Sequence, residues 1–136
     1  MKSLTATCLI LVLFCSCKKI IEQQKENAII EAMTNGQWVI TSFVRDGSNI
    51  TASFSEFSFQ YHRDYTVDAI RDNIVEKKGT WNGDPATMTI TATFTTSTEP
   101  LVLLNGSWHI DNNSWTYVVA SQTNGVEQKK LRLEKK

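Results

Sequence analysis

From Trp38 to the C-terminus, runs rich in Thr, Val, Ile and aromatic residues are punctuated by clusters of Asn, Asp, Gly and Pro at intervals of roughly 10 to 14 residues, a rhythm few folds can accommodate. The punctuating stretches read DGSN, HRD, RDN, NGDP, TSTEP, DNN and TNG, and carry the residue types that tight turns favour. They delimit eight predicted strands, at 37–46, 54–61, 65–71, 74–81, 87–95, 101–110, 114–121 and 126–134. Connections this short pair only neighbours, antiparallel, as a meander. A flat meander leaves two open edges, and closing it removes them. The expected fold class is all-β: an eight-stranded antiparallel up-and-down barrel over residues 35–136, its interior filled by side chains or just wide enough for one small ligand. A chain of 136 residues leaves no room for a second domain of similar size.

The alternation is clearest in TMTITATFT, residues 87–95, where Thr holds every odd position while Met88, Ile90, Ala92 and Phe94 take the even ones. One face is wet and the other dry. The same parity predicts Phe57, Phe59 and Tyr61 inward on the second strand, Trp81 on the fourth, and Val102, Leu104, Trp108 and Ile110 on the sixth. Trp115, Tyr117 and Val119 follow on the seventh, and Leu131 and Leu133 on the eighth.

Before the barrel, residues 20–34 place Ile21, Ala28, Ile29, Ala32 and Met33 along one side at helical spacing, and Asn35-Gly36 supplies a stop. A short amphipathic helix is expected. Its polar face mixes Glu with Lys, which favours packing on the domain over lying on a membrane surface.

The first sixteen residues join a single basic residue, Lys2, to an apolar run from Leu4 to Phe14 that ends at the small residue Ser16. The run is too short to span a bilayer as a helix, which takes ~20 residues, and fits a secretory signal peptide over 1–16. Phe14-Cys15-Ser16-Cys17 resembles a relaxed lipobox of bacterial lipoproteins, in which cleavage leaves an acylated cysteine at the new N-terminus. That resemblance implies lipidation of Cys17, residues 17–34 as a lipidated tether and helix, and a membrane as partner. Lys18 and Lys19 stand where an acidic residue would signal retention at the inner membrane, so the resemblance implies the outer membrane. No acidic cluster follows the cysteine, which favours the periplasmic face. No cysteine occurs after Cys17, so an internal disulfide or thiolate metal site in the mature chain is excluded.

Charge and motifs narrow the function classes. The 14 basic and 14 acidic side chains are interspersed, without the basic stripe that binds phosphate backbones, so nucleic acid is not expected as a partner. His62 and His109 each sit two residues before an aspartate, Asp64 and Asp111, but the meander places the two pairs about half a circumference apart. No metal site is expected. There is no nucleophile elbow and no glycine-rich phosphate loop, and parity turns Glu56, Asp68 and Glu76 to solvent, so neither catalysis nor a cofactor is expected. The Asn-x-Ser/Thr triplets at Asn49, Asn105 and Asn112 are read as coincidence in an Asn- and Thr-rich chain.

Gly36-Gln37-Trp38 opens the first strand straight after the helix, and KKGTW occupies 77–81. With the eight-strand meander, these resemble the small lipocalin-like lipoproteins of Gram-negative bacteria. The resemblance implies a barrel-floor signature of Gly36, Trp38 and Arg132, with the Trp closing the floor beneath a basic side chain of the last strand. The Thr-Asp-Tyr signature near the sixth turn is absent, and HIDNNSW stands there. The implied function is binding of a small hydrophobic or amphiphilic ligand by a monomer. Its expected site is an open mouth formed by 46–53, 71–73, 96–100 and 122–125, walled by Val44, Phe57, Ala69, Phe94, Val102 and Val119. The alternative is a filled barrel that acts as an interaction or inhibitor module for another envelope protein.

Overall fold

The computed structural model describes residues 20–136, so the predicted signal peptide and Cys17 lie outside the described residues. Residues 20–34 form helix α1, which ends where Gly36 adopts φ +86°, a left-handed conformation open to glycine at no steric cost. Nine strands follow: β1 (Trp38–Arg45), β2 (Ser48–Asn49), β3 (Phe57–Tyr61), β4 (Thr66–Arg71), β5 (Ile74–Asp84), β6 (Thr89–Thr93), β7 (Gly106–Asn113), β8 (Tyr117–Asn124) and β9 (Glu127–Lys135). Every pairing is antiparallel, and β1 closes on β9 from Trp38↔Lys135 to Arg45↔Lys129. Setting aside the two-residue β2, this is the expected closed eight-stranded barrel preceded by one helix.

The seam between β1 and β3 meets in register only at Trp38↔Phe59. Above that pair, the hairpin to β2 and a 3-10 turn at Thr51–Phe54 cover it. The Phe43 N–H donates to Thr51 Oγ1 (2.8 Å), and the Ile50 N–H donates to the Phe43 carbonyl (2.9 Å). The end carrying Trp38, Lys135 and the turns 62–65, 85–88 and 114–116 is the floor. The opposite end, with 46–56, 72–73, 94–105 and 125–126, is the mouth.

Inward positions build one core of Trp38, Phe43, Phe59, Val67, Trp81, Phe94, Trp108 and their neighbours, all buried. Gly79 is required on β5, because a Cβ there would lie 2.5 Å from the Thr93 carbonyl oxygen and 2.8 Å from the Phe94 ring. At the β4–β5 hairpin, Asp72 and Asn73 take φ +53° and +61°, which suits a two-residue turn and the RDN stretch.

Several expected positions are corrected. A bulge between Ile40 and Ser42 inserts one residue into β1, so Phe43 points inward and Val44 outward. On β8 the inward residues are Val118 and Ala120, not Tyr117 and Val119, while Trp115 stands exposed in the turn before the strand. The expected sixth strand begins only at Gly106, because Leu101–Leu104 winds as a 3-10 turn that buries Leu101, Leu103 and Leu104 and exposes Val102. Asp68 keeps its outward parity but is buried, with its Oδ2 2.8 Å from His62 Nε2.

Candidate functional site

The mouth, where a ligand opening was expected, is closed. Phe54 stacks on Phe43 with ring centroids 4.7 Å apart, and Phe43 meets Trp108 edge-on at 6.0 Å. The 94–105 segment folds over the same end. Asn105 secures its base by accepting from the Phe94 N–H (2.6 Å) and donating to the Phe94 carbonyl (3.2 Å). The Trp108 indole donates to the Leu104 carbonyl (2.8 Å), and the buried Lys129 ammonium donates to the Leu103 carbonyl (2.9 Å). Arg45 links the lip by pairing with Glu99 at 3.1 Å and Glu127 at 2.8 Å. The hydrogen bond from Arg45 holds the Glu127 carboxyl below its usual range and raises Arg45 in return.

Of the six expected wall residues, Phe57, Ala69 and Phe94 are core filler, Val102 is exposed on the plug, and Val44 and Val119 face outward. They enclose no site. The interior holds a small void of about 30 Å³ lined by Phe59, Tyr61, Leu104, Trp108 and aliphatic side chains. That is room for about one water, in a lining whose polar side chains are Tyr61 and Trp108.

The floor signature is partly as expected. Trp38 is fully buried, and its indole donates to the Met33 carbonyl (2.9 Å), which ties the end of α1 to the barrel. The basic side chain over its ring is Lys135, with the ammonium 5.3 Å from the centroid. Arg132 lies elsewhere: its outward side chain stacks on Tyr117 at 4.4 Å and donates to Glu134. The register pairs Trp38 with Lys135, and the parity that turns Leu131 and Leu133 inward continues to 135 and excludes 132.

A roomy concavity lies at this floor end. A groove of about 500 Å³ separates α1 from the barrel end, within the range of about 300–1,000 Å³ typical of small-molecule sites. From α1 come Ala28, Ile29, Ala32 and Met33, the stripe whose helical spacing predicts packing on the domain. Trp38, Ile90, Ile110 and Val118 form the back, supplied by β1, β6, β7 and β8. Ile90 and Val118 also line the small interior void, so the groove ends where the filled core begins. Gly83 permits the helix to approach β5, since a Cβ there would sit 2.9 Å from Ile29 Cγ2.

The rim is made by the β5–β6 and β7–β8 turns. Met88 and Trp115 expose 44% and 60% of their surface there, and Met88 holds a left-handed φ of +51°, costly for a side-chain-bearing residue. Lys25 and Asp84 are the charged residues of a mainly apolar lining. Ile90 and Ile110 are legible in the sequence as inward residues. Trp115 reads as core, and nothing in its local pattern places it on a rim.

The histidines serve locally. His62 pairs with Asp68, and His109 Nδ1 lies 3.1 Å from Asp111, whose carboxyl also accepts from Ser121 at 3.0 Å. Among the described residues no three His, Cys, Asp or Glu side chains gather as metal ligands, and no helix is long and apolar enough to cross a membrane.

The sequence matches no protein-family model and no curated protein. Two solved structures share the architecture. A DUF4847 family protein from Bacteroides vulgatus superimposes with a TM-score of 0.55 at 14% identity, covering 78% of this chain and 96% of that one. Japanin from Rhipicephalus appendiculatus, in a structure bound to cholesterol, gives a TM-score of 0.55 at 8% identity and covers 76% of each chain. At such identities the likeness is one of fold, and the fold is a lipocalin-like closed eight-stranded barrel.

Proposed function

We propose that this protein is a cell-envelope lipoprotein, anchored through Cys17 at the periplasmic face of the outer membrane, that binds a small hydrophobic or amphiphilic molecule in the groove between α1 and the barrel floor. The groove of about 500 Å³ backed by Trp38 carries the ligand reading. Each square ångström of apolar ligand surface buried there contributes about 25 cal/mol, against the cost of immobilising the ligand. The cholesterol held by Japanin lends the reading an analogy at the level of fold. The location differs from the expected mouth because two 3-10 turns fill that end.

Ala32→Phe adds a ring on the helix side of the groove, at a position outside the buried core cluster. Native mass spectrometry of protein purified without harsh extraction is expected to show a stoichiometric small adduct on the wild type and none on Ala32→Phe, at matched thermal stability. A wild type that is free of adduct and stays so after incubation with lipid extract would sink the ligand reading. The anchor is tested separately: Cys17→Ala is expected to abolish incorporation of radioactive palmitate and partition into detergent, and retained label would overturn it.

A second reading draws on the filled interior. With a void of about 30 Å³ inside the barrel, and with Ile74 and Val126 standing exposed at or beside the mouth turns, an interaction module needs no cavity at all. An empty groove together with a protein cross-linked through residues at those turns would favour it.

A further inference from the structure

The apolar stripe of α1 does not stop where the groove stops. Ile21, Lys25, Ala28 and Ala32 follow one another at spacings of four, three and four, so they share a face of the helix. Lys25, Ala28 and Ala32 line the groove, whereas Ile21, one turn farther out, is 52% exposed, and Ile20 beside it is 54% exposed. Across the groove, Met88 and Trp115 reach into solvent from separate turns at the same end of the barrel. Broken only by Lys25 on the helix side, an apolar track therefore runs from the buried Trp38 out past the rim.

That exposed end is also the end at which the chain departs toward Cys17. Two residues, Lys18 and Lys19, separate Ile20 from Cys17, and the three residue steps between them span at most ~11 Å even when fully extended. If Cys17 carries acyl chains, the head-group zone lies within that reach of α1's first described turn. Apolar side chains seat ~5–10 Å into this zone, and Trp is among the residues that favour it. The rim charges, Lys25 and Asp84, are opposite in sign, so at the rim itself seating is driven by apolar contact.

We infer that the floor end is a membrane-docking face, on which Trp115, Met88 and the outer turn of α1 seat in the bilayer that holds the anchor. The groove then opens onto lipid, and its ligand is a lipid amphiphile that enters from the membrane. This inference rests on the lipid-anchored reading of Cys17.

Trp115 is a ready reporter, because Trp38, Trp81 and Trp108 expose 3% or less of their surface while Trp115 exposes 60%. Full-length protein purified from membranes is reconstituted with phosphatidylcholine vesicles whose acyl chains are brominated near the head-group end, and vesicle binding is read by flotation. Wild type and Trp115→Phe are both expected to float. Wild type should lose the Trp115 share of its emission relative to unbrominated vesicles, while Trp115→Phe should show little loss. Ala32→Phe should be quenched like wild type, since docking does not require an occupied groove. Equal quenching of floating wild type and Trp115→Phe would overturn docking and leave both the anchor and the ligand site standing. Failure of the wild type to float would overturn docking and anchor together.

Discussion

Trp38→Ala is expected to lower the free energy of unfolding by about 3–5 kcal/mol, the range for deleting a large aromatic from a core. Trp38 has no exposed surface, and its loss would open a cavity where the barrel floor, the end of α1 and the back of the groove meet. The indole hydrogen bond to the Met33 carbonyl would go as well, leaving Lys135 without the ring beneath it. Urea unfolding would report the loss as a lower midpoint at nearly unchanged slope. Hydrogen exchange should show α1 losing protection before the strands, because Trp38 ties its C-terminal turn to the barrel. A loss below about 1 kcal/mol would mean that the floor is closed by something other than this side chain.

Phe43→Ala is expected to cost a similar amount, about 3–5 kcal/mol, and Val44→Ala less than about 1 kcal/mol. Phe43 is fully buried between Phe54 and Trp108, so its removal loosens both the mouth plug and the middle of the core. Val44 lies outward beside Lys130 and Asn49. The contrast tests the bulge at Ile40/Ser42 directly, since unbroken alternation from Trp38 would reverse the two costs. Chemical denaturation of both variants side by side decides between the two parities.

That pair shows where the sequence can and cannot be read. Turn clusters and the TMTITATFT alternation reveal the number, order and pairing of strands because each turn needs particular backbone angles and each strand needs one dry face. A bulge leaves no such trace: one extra residue in β1 costs little locally yet exchanges Phe43 and Val44 between faces. LVLL at 101–104 is equally opaque, since a short apolar run suits a buried strand and a buried turn alike. The helix stripe discloses half of the groove. Which end of the barrel it covers is settled by the Trp38–Met33 contact, and pairing β1 with β9 selects Lys135 instead of Arg132 as the cation over Trp38.

The thin contact between β1 and β3 has a consequence for solution behaviour. A ring of strands joined at one place by a single register pair resembles a scroll more than a hoop, and a scroll keeps a margin along which another scroll can attach. The short hairpin and the turn at Thr51–Phe54 occupy that margin by taking both backbone groups of Phe43. Their role is then protective as well as structural, shielding an adhesive strip at high protein concentration.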